Sequence, residues 1–170
     1  MFMDKMAPGI LRLSVMDNDI DLFEGQYPVP GGVSYNSYLI EDEQLCLLDT
    51  VDARKQDEWL GGLNEALDGR KLDYLVISHM EPDHAGSIAA LCARQPQVKL
   101  VANAKTFVML DQFTGEHPLV QERITVGEGG TLALGSHTLH FVLAPMVHWP
   151  EVMVAYEDSQ KVLFSADGFG

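Results

Sequence analysis

Leu72-Asp73-Tyr74-Leu75-Val76-Ile77-Ser78 runs directly into His79-Met80-Glu81-Pro82-Asp83-His84. The first seven residues form a short, nearly continuous apolar run, the pattern of a strand buried on both faces. The next six hold four side chains able to ligate a metal, placed at a strand's end where loops present functional groups. Alternate residues of an extended segment point the same way, so the spacing predicts that His79, Glu81 and Asp83 line one side. His84 breaks that alternation and requires a turn, which the neighbouring Pro82 makes possible. An ordered cluster of this kind arises by chance about once in a thousand chains of this composition, which disfavours a merely solvated polar loop.

Strand and helix signals extend outward on both sides. Upstream, residues 9–15 alternate, 33–40 (VSYNSYLI) are rich in β-branched and aromatic residues, and Pro28, Pro30, Gly31 and Gly32 punctuate the loop between them. Residues 44–48 read as a buried strand ending at Asp49-Thr50. Trp59, Leu60, Leu63 and Leu67 fall on one helical face, with Gly69 at the expected C-cap. Downstream, the pattern predicts a helix over 87–93, a strand over 98–102 and a helix over 106–113. Beyond Gly127 it changes to hairpin strands over 131–134, 138–144, 152–156 and 161–165. With no repeat or linker, residues 1–170 read as one domain. Strands outnumber helices, which interleave with them in the first two-thirds, so the expected class is α/β (α+β), a layered sandwich.

Composition narrows the function. The chain has 170 residues, 46% hydrophobic, with 25 acidic against 11 basic side chains and a net charge of −14. Disorder does not fit that hydrophobic content. The charge argues against nucleic acid and against an anionic membrane face as partners. No apolar run approaches the roughly 20 residues of a membrane span, and Met1 to Pro8 do not read as a signal peptide. Cys46 and Cys92 sit in apolar stretches and read as reduced, buried thiols. The expected compartment is the cytoplasm.

Two further ligand candidates follow strand-like runs: His148 in Pro145-Met146-Val147-His148-Trp149-Pro150, and Asp167 after Val162-Leu163-Phe164-Ser165-Ala166. Alone, each reads as a cap or a satisfied core residue; beside the first cluster, they supply ligands from neighbouring strand ends. His117, His137 and His140 are expected at the surface. Asp49 reads equally as support for a ligating histidine or as the cap of the following helix. Three imidazoles and three carboxylates, without a thiolate, exceed one tetrahedral zinc and suit two ions sharing a carboxylate. Such donors commonly surround non-haem iron, with zinc or manganese left open. A redox metal would bind and reduce a small molecule, whereas a Lewis-acid pair would activate water.

At this point a resemblance can be stated. His79-x-Glu81-x-Asp83-His84 resembles the first metal motif of the metallo-β-lactamase superfamily, with Glu81 in place of its second histidine. Together with residues 34–40, 48–52, 145–150 and 163–170, it is similar to the flavodiiron proteins from about Gly9 onward. The resemblance implies a metallo-β-lactamase-like αβ/βα sandwich, the first half plus the start of the second. It implies an oxidoreductase that reduces O2 to water, NO to N2O, or both. The implied cofactors are two non-haem iron ions, with His79, Glu81 and His148 on one, Asp83 and His84 on the other, and Asp167 bridging. FMN is expected in a separate flavodoxin domain, reduced by a rubredoxin-like or flavin donor. A homo-oligomer, a head-to-tail dimer or larger, is also implied. The family's further histidine ligand and its flavodoxin domain have no counterpart after Asp167. The domain is therefore expected to be incomplete at its C-terminus and prone to associate through uncovered apolar surface. The alternatives are a flavin-independent O2- or NO-binding sensor and a metallo-β-lactamase-type hydrolase.

Overall fold

The computed structural model describes residues 1–23 and 25–168. In chain order the elements are β1 (Phe2–Ala7), β2 (Ile10–Asp17), β3 (Leu22–Phe23), β4 (Tyr27–Pro28), β5 (Val33–Ile40), β6 (Cys46–Leu48), α1 (Gln56–Leu67) and β7 (Tyr74–Val76). Then come α2 (Pro82–Ala85), α3 (Ile88–Arg94), β8 (Lys99–Ala102), α4 (Ala104–Thr114) and β9 (Arg123–Thr125). The chain finishes with β10 (Thr131–Ala133), β11 (Thr138–Leu143), β12 (Met153–Glu157) and β13 (Val162–Phe164). Seven strands form one sheet in the order β1-β2-β5-β6-β7-β8-β9, and β10 to β13 form a second, four-stranded sheet. The first sheet is antiparallel from β1 to β6 and parallel from β6 to β9.

Side-chain alternation divides the interior in two. Leu47, Leu75 and Leu100 face α1, α3 and α4, where they meet Trp59, Leu63, Leu91 and Leu110. Cys46, Leu48, Val76 and Val101 point the other way, against Leu139, Phe141, Met153 and Ala155 of the second sheet. The central strands are thus buried on both faces, which is why 72–78 lacks alternation in its polarity. Burying each Leu contributes about 1.5–3 kcal/mol, so these rows hold the layers together. The result is helices, mixed sheet and second sheet in layers, the mixed α/β sandwich expected from the sequence.

Local chemistry sets several boundaries. Trp59 of α1 donates its indole N–H to Ser37 Oγ at 2.7 Å, anchoring that helix to β5. Asp68 takes a left-handed conformation and Gly69 follows at φ +77°, closing α1 where the sequence places its end. Asn103 accepts the N–H groups of Lys105 and Thr106, so α4 begins at Ala104, two residues before the expected start.

Other expectations are corrected. β1, the β3–β4 pair and β9 are absent from the sequence reading. Residues 79–83 do not form one extended segment, because Pro82 opens the helical turn α2 and carries Asp83 out of the alternation. His137 is buried rather than surface-exposed: its Nδ1 lies 2.7 Å from Asp42 Oδ2, and its backbone N–H donates to the same carboxylate at 2.6 Å. A Cβ on Gly9 would lie 2.7 Å from that imidazole, so the β1–β2 turn and the second sheet meet through a glycine. His140, paired with Asp158, and His117 do lie at the surface. Phe169 and Gly170, the end of the last quoted motif, lie outside the described residues. No helix among the described residues is long and apolar enough to cross a membrane.

Candidate metal centre

Parallel strands bring their C-terminal ends to one edge, where α/β sheets place functional loops. Here β6 leads to Asp49, β7 to Ser78–His84 and β8 to Asn103. The second sheet reaches the same edge from its own side. The loop between β11 and β12 carries His148, Trp149 and Glu151, and the segment after β13 carries Asp167. Met153 N–H donates to the Ser78 carbonyl at 3.0 Å and ties this loop to the root of the motif.

The six residues singled out in the sequence converge on this edge as two groups. His79, Glu81, His148 and Asp167 bring ligating atoms within 4.8 Å of one another, and so do Asp83, His84 and Asp167. In the first group, Glu81 Oε2 lies 3.1 Å from His79 Nε2 and 2.9 Å from His148 Nε2. Asp167 Oδ2 lies 3.3 Å from His79 Nε2 and 3.2 Å from His148 Nε2. Its other oxygen, Oδ1, faces the second group at 2.5 Å from His84 Nε2. Asp83 Oδ2 stands 3.6 Å from the same nitrogen. Asp167 is therefore common to both groups, one oxygen to each.

The electrostatics follow from this packing. Burial drives the His79 imidazole down, but its contacts with Asp167 and Glu151 outweigh that and raise it to about 9. His84 likewise rises well above the ordinary histidine range, burial being overcome by Asp167 and Asp49. Burial alone would raise Asp167, yet the two imidazoles hold it far below the usual carboxylate range. Asp83 moves up, chiefly through burial. The protein thus concentrates carboxylate charge at the point its imidazoles share. A cation placed there must displace histidine protons.

Supporting contacts orient the imidazoles. Asp49 accepts the Ser78 N–H through Oδ1 at 2.7 Å, and its Oδ2 lies 3.3 Å from His84 Nδ1. Of the two readings of Asp49, the structure gives the histidine-supporting one; Asp52 instead caps the turn at Ala53–Lys55, accepting from Arg54 N–H. Glu151, which the sequence reading missed, lies fully buried with Oε1 2.8 Å from His79 Nδ1. A lone acid between Pro150 and the apolar start of β12 was the available signal. Trp149 packs edge-on against His79 with ring centroids 5.2 Å apart.

The donor set fits a pair of cations. Three carboxylates and three imidazoles meet within two overlapping groups, and the Asp83 Oδ1 atom is buried without a hydrogen-bond partner. Hard oxygen with imidazole nitrogen suits iron, manganese or zinc in coordination numbers above four.

Comparison with known proteins gives a consistent result. The profile of the ODP family beta lactamase matches residues 33–170. The rubredoxin-oxygen oxidoreductase of Megalodesulfovibrio gigas is 39% identical over 167 residues, covering 98% of this chain and 41% of that protein. The anaerobic nitric oxide reductase flavorubredoxin of Pectobacterium atrosepticum is 40% identical over 157 residues, covering 91% of this chain and 30% of that protein. Among solved structures, the flavodiiron protein of Giardia intestinalis superposes with a TM-score of 0.92 at 32% identity, over 100% of this chain and 41% of its own. The chain therefore spans well under half the length of each.

Proposed function

Since the chain belongs to the ODP family beta lactamase, we propose that it is the di-iron domain of a flavodiiron oxidoreductase. In this reading it reduces O2 to water, NO to N2O, or both. One observation carries the reading: Asp167 turns its two oxygens toward two different sets of donors. His79, Glu81 and His148 would hold one iron ion, Asp83 and His84 the other, with Asp167 bridging. When bound, the iron pair supplies electrons and open coordination positions for a diatomic gas.

The chain's own residues contribute placement. Glu81 is a hard, anionic donor where an imidazole would be neutral and softer, which suits ferric iron. Trp149 packs against the His79 ring, Glu151 orients the buried His79 imidazole, and Asp49 orients the partly buried His84. The electrons are proposed to come from FMN on a flavodoxin domain, itself reduced by a rubredoxin-type carrier. The names of the relatives support this: one pairs rubredoxin with oxygen, another joins nitric oxide reduction to a flavorubredoxin. Residues 1–170 act as one domain in this scheme, within a homo-oligomer. The buried, unpaired Cys46 and Cys92 suit the reducing cytoplasm.

Anaerobic loading with Fe2+ tests the reading. The expected result is two ions per chain and NO consumption that depends on added reduced FMN. Firm zinc retention without iron uptake, together with ester or thioester hydrolysis, would overturn it.

A further inference from the structure

Glu151 has no place in the donor set, yet its side chain is fully buried at the centre of the site's supporting contacts. Its Oε1 lies 2.8 Å from His79 Nδ1 and accepts the Met80 N–H, also at 2.8 Å. One carboxylate oxygen thus grips both the imidazole and the backbone just after it. The residue is itself gripped from behind, because Asn103 Nδ2 donates to the Glu151 carbonyl at 2.6 Å. Asn103 uses its other terminal atom, Oδ1, to cap α4 at Lys105 and Thr106. A continuous path therefore runs from the N-terminus of α4 through Asn103 and Glu151 to His79.

Burying a carboxylate is costly unless it is hydrogen-bonded to a partner that needs it. Packing alone would be served as well by an apolar side chain. The geometry supplies the need: an acceptor at Nδ1 keeps a proton on that nitrogen, so that Nε2, facing Glu81 and Asp167, is the nitrogen that yields its proton to a cation. Resting on the di-metal reading above, we propose that Glu151 is a positioning residue. It presets the tautomer and angle of His79 for the group formed with Glu81, His148 and Asp167, and Asn103 holds it in place.

The test is equilibrium competition for Co2+ between this chain and a chelator, followed by the visible absorption of the bound ion. The His148→Ala variant identifies the signal of the four-residue group, and Asp83→Ala that of the other. Glu151→Gln keeps the shape and removes the charge. Its expected effect is a loss of about 10–100-fold in affinity at the four-residue group, with an altered absorption band there. The Asp83–His84–Asp167 group should change by less than about twofold. Should Glu151→Gln fail to fold, Asn103→Asp decides. It retains the helix cap, removes the donor on the Glu151 carbonyl, and is expected to weaken the same group selectively. Unchanged affinity in the folded variant, or equal loss at both groups, overturns the proposal. A wild-type chain that takes up no Co2+ overturns the di-metal reading beneath it instead.

Discussion

Asp167 Oδ1 stands 2.5 Å from His84 Nε2, although 83 positions separate the two residues in the chain. The contact exists because the end of β13, in the second sheet, meets the turn that follows β7 in the first. The two groups of donors thus close only when the sheets are packed together. Metal binding and sheet packing should therefore be linked. At a free metal concentration of about 100 times the dissociation constant, binding adds roughly 2.7 kcal/mol of stability. For a chain of this size, that raises the melting temperature by about 5–10 °C, and chelator should reverse it.

Replacing Asp167 with Asn tests the shared carboxylate directly. The amide keeps an oxygen toward one group and places a nitrogen toward the other. Bound metal is expected to fall from two ions toward one per chain, at concentrations that saturate the wild type. Elemental analysis after desalting gives the count; retention of both ions would show that Asp167 is not shared.

Asp49→Asn addresses the second histidine. The amide oxygen can still accept the Ser78 N–H, now made at 2.7 Å, so the β7 terminus is preserved. Its nitrogen then faces His84 Nδ1 and donates where an acceptor stood. That contact takes the proton from Nδ1 and holds one on Nε2, so the nitrogen facing Asp167 no longer yields its proton readily to a cation. Affinity at the Asp83–His84–Asp167 group should drop about 10–100-fold, while thermal stability without metal moves by no more than about 1 kcal/mol. Metal titration beside a melting curve separates the two effects.

Much of this was legible because it depended on local pattern. Trp59, Leu60, Leu63 and Leu67 announce α1 by spacing, and the apolar run 72–78 announces a central strand by its lack of alternation. What escaped depended on distant partners or had no pattern to show. β1 is exposed along most of its length, so Phe2-Met3-Asp4-Lys5-Met6 carries no burial signal. Pro82 could be read as a turn, but spacing alone put Asp83 on the His79 side, and only the family resemblance placed it with His84. Glu151 gains its meaning only when the β11–β12 loop crosses to β7. His137 reads as a surface residue because its partner, Asp42, lies 95 positions away.

The two thiols are expected to be inert in the folded chain. Cys46 lies between the sheets and Cys92 under the helical layer. Burial pushes Cys92 up to about 12 and raises Cys46 as well, so neither offers thiolate at neutral pH. Iodoacetamide at pH 8 should label neither cysteine in the native protein and both in denaturant, as read by mass spectrometry. Rapid native labelling of either would contradict this packing.

Acid stability should depend on Asp42. Its carboxylate bridges the β5–β6 loop to the second sheet, with the His137 ring at 2.7 Å and the Ser136 hydroxyl at 3.0 Å. Glu43 N–H donates to its other oxygen at 2.8 Å. Burial pushes the group up, but the His137 side chain and these donors more than offset it, leaving it below the ordinary carboxylate range. A depressed folded-state value means that the unfolded chain takes up the proton first as pH falls. The stabilisation is therefore complete above the unfolded value, near 3.9, and disappears as pH falls through the folded one. Asp42→Asn removes that dependence and costs about 1–3 kcal/mol at neutral pH, because the charge-assisted bonds become neutral ones. Urea melts of both proteins from pH 7 to 3 should show the gap narrowing as the wild type loses its advantage. A gap that stays constant across the series would mean that the Asp42 charge takes no part in joining the sheets.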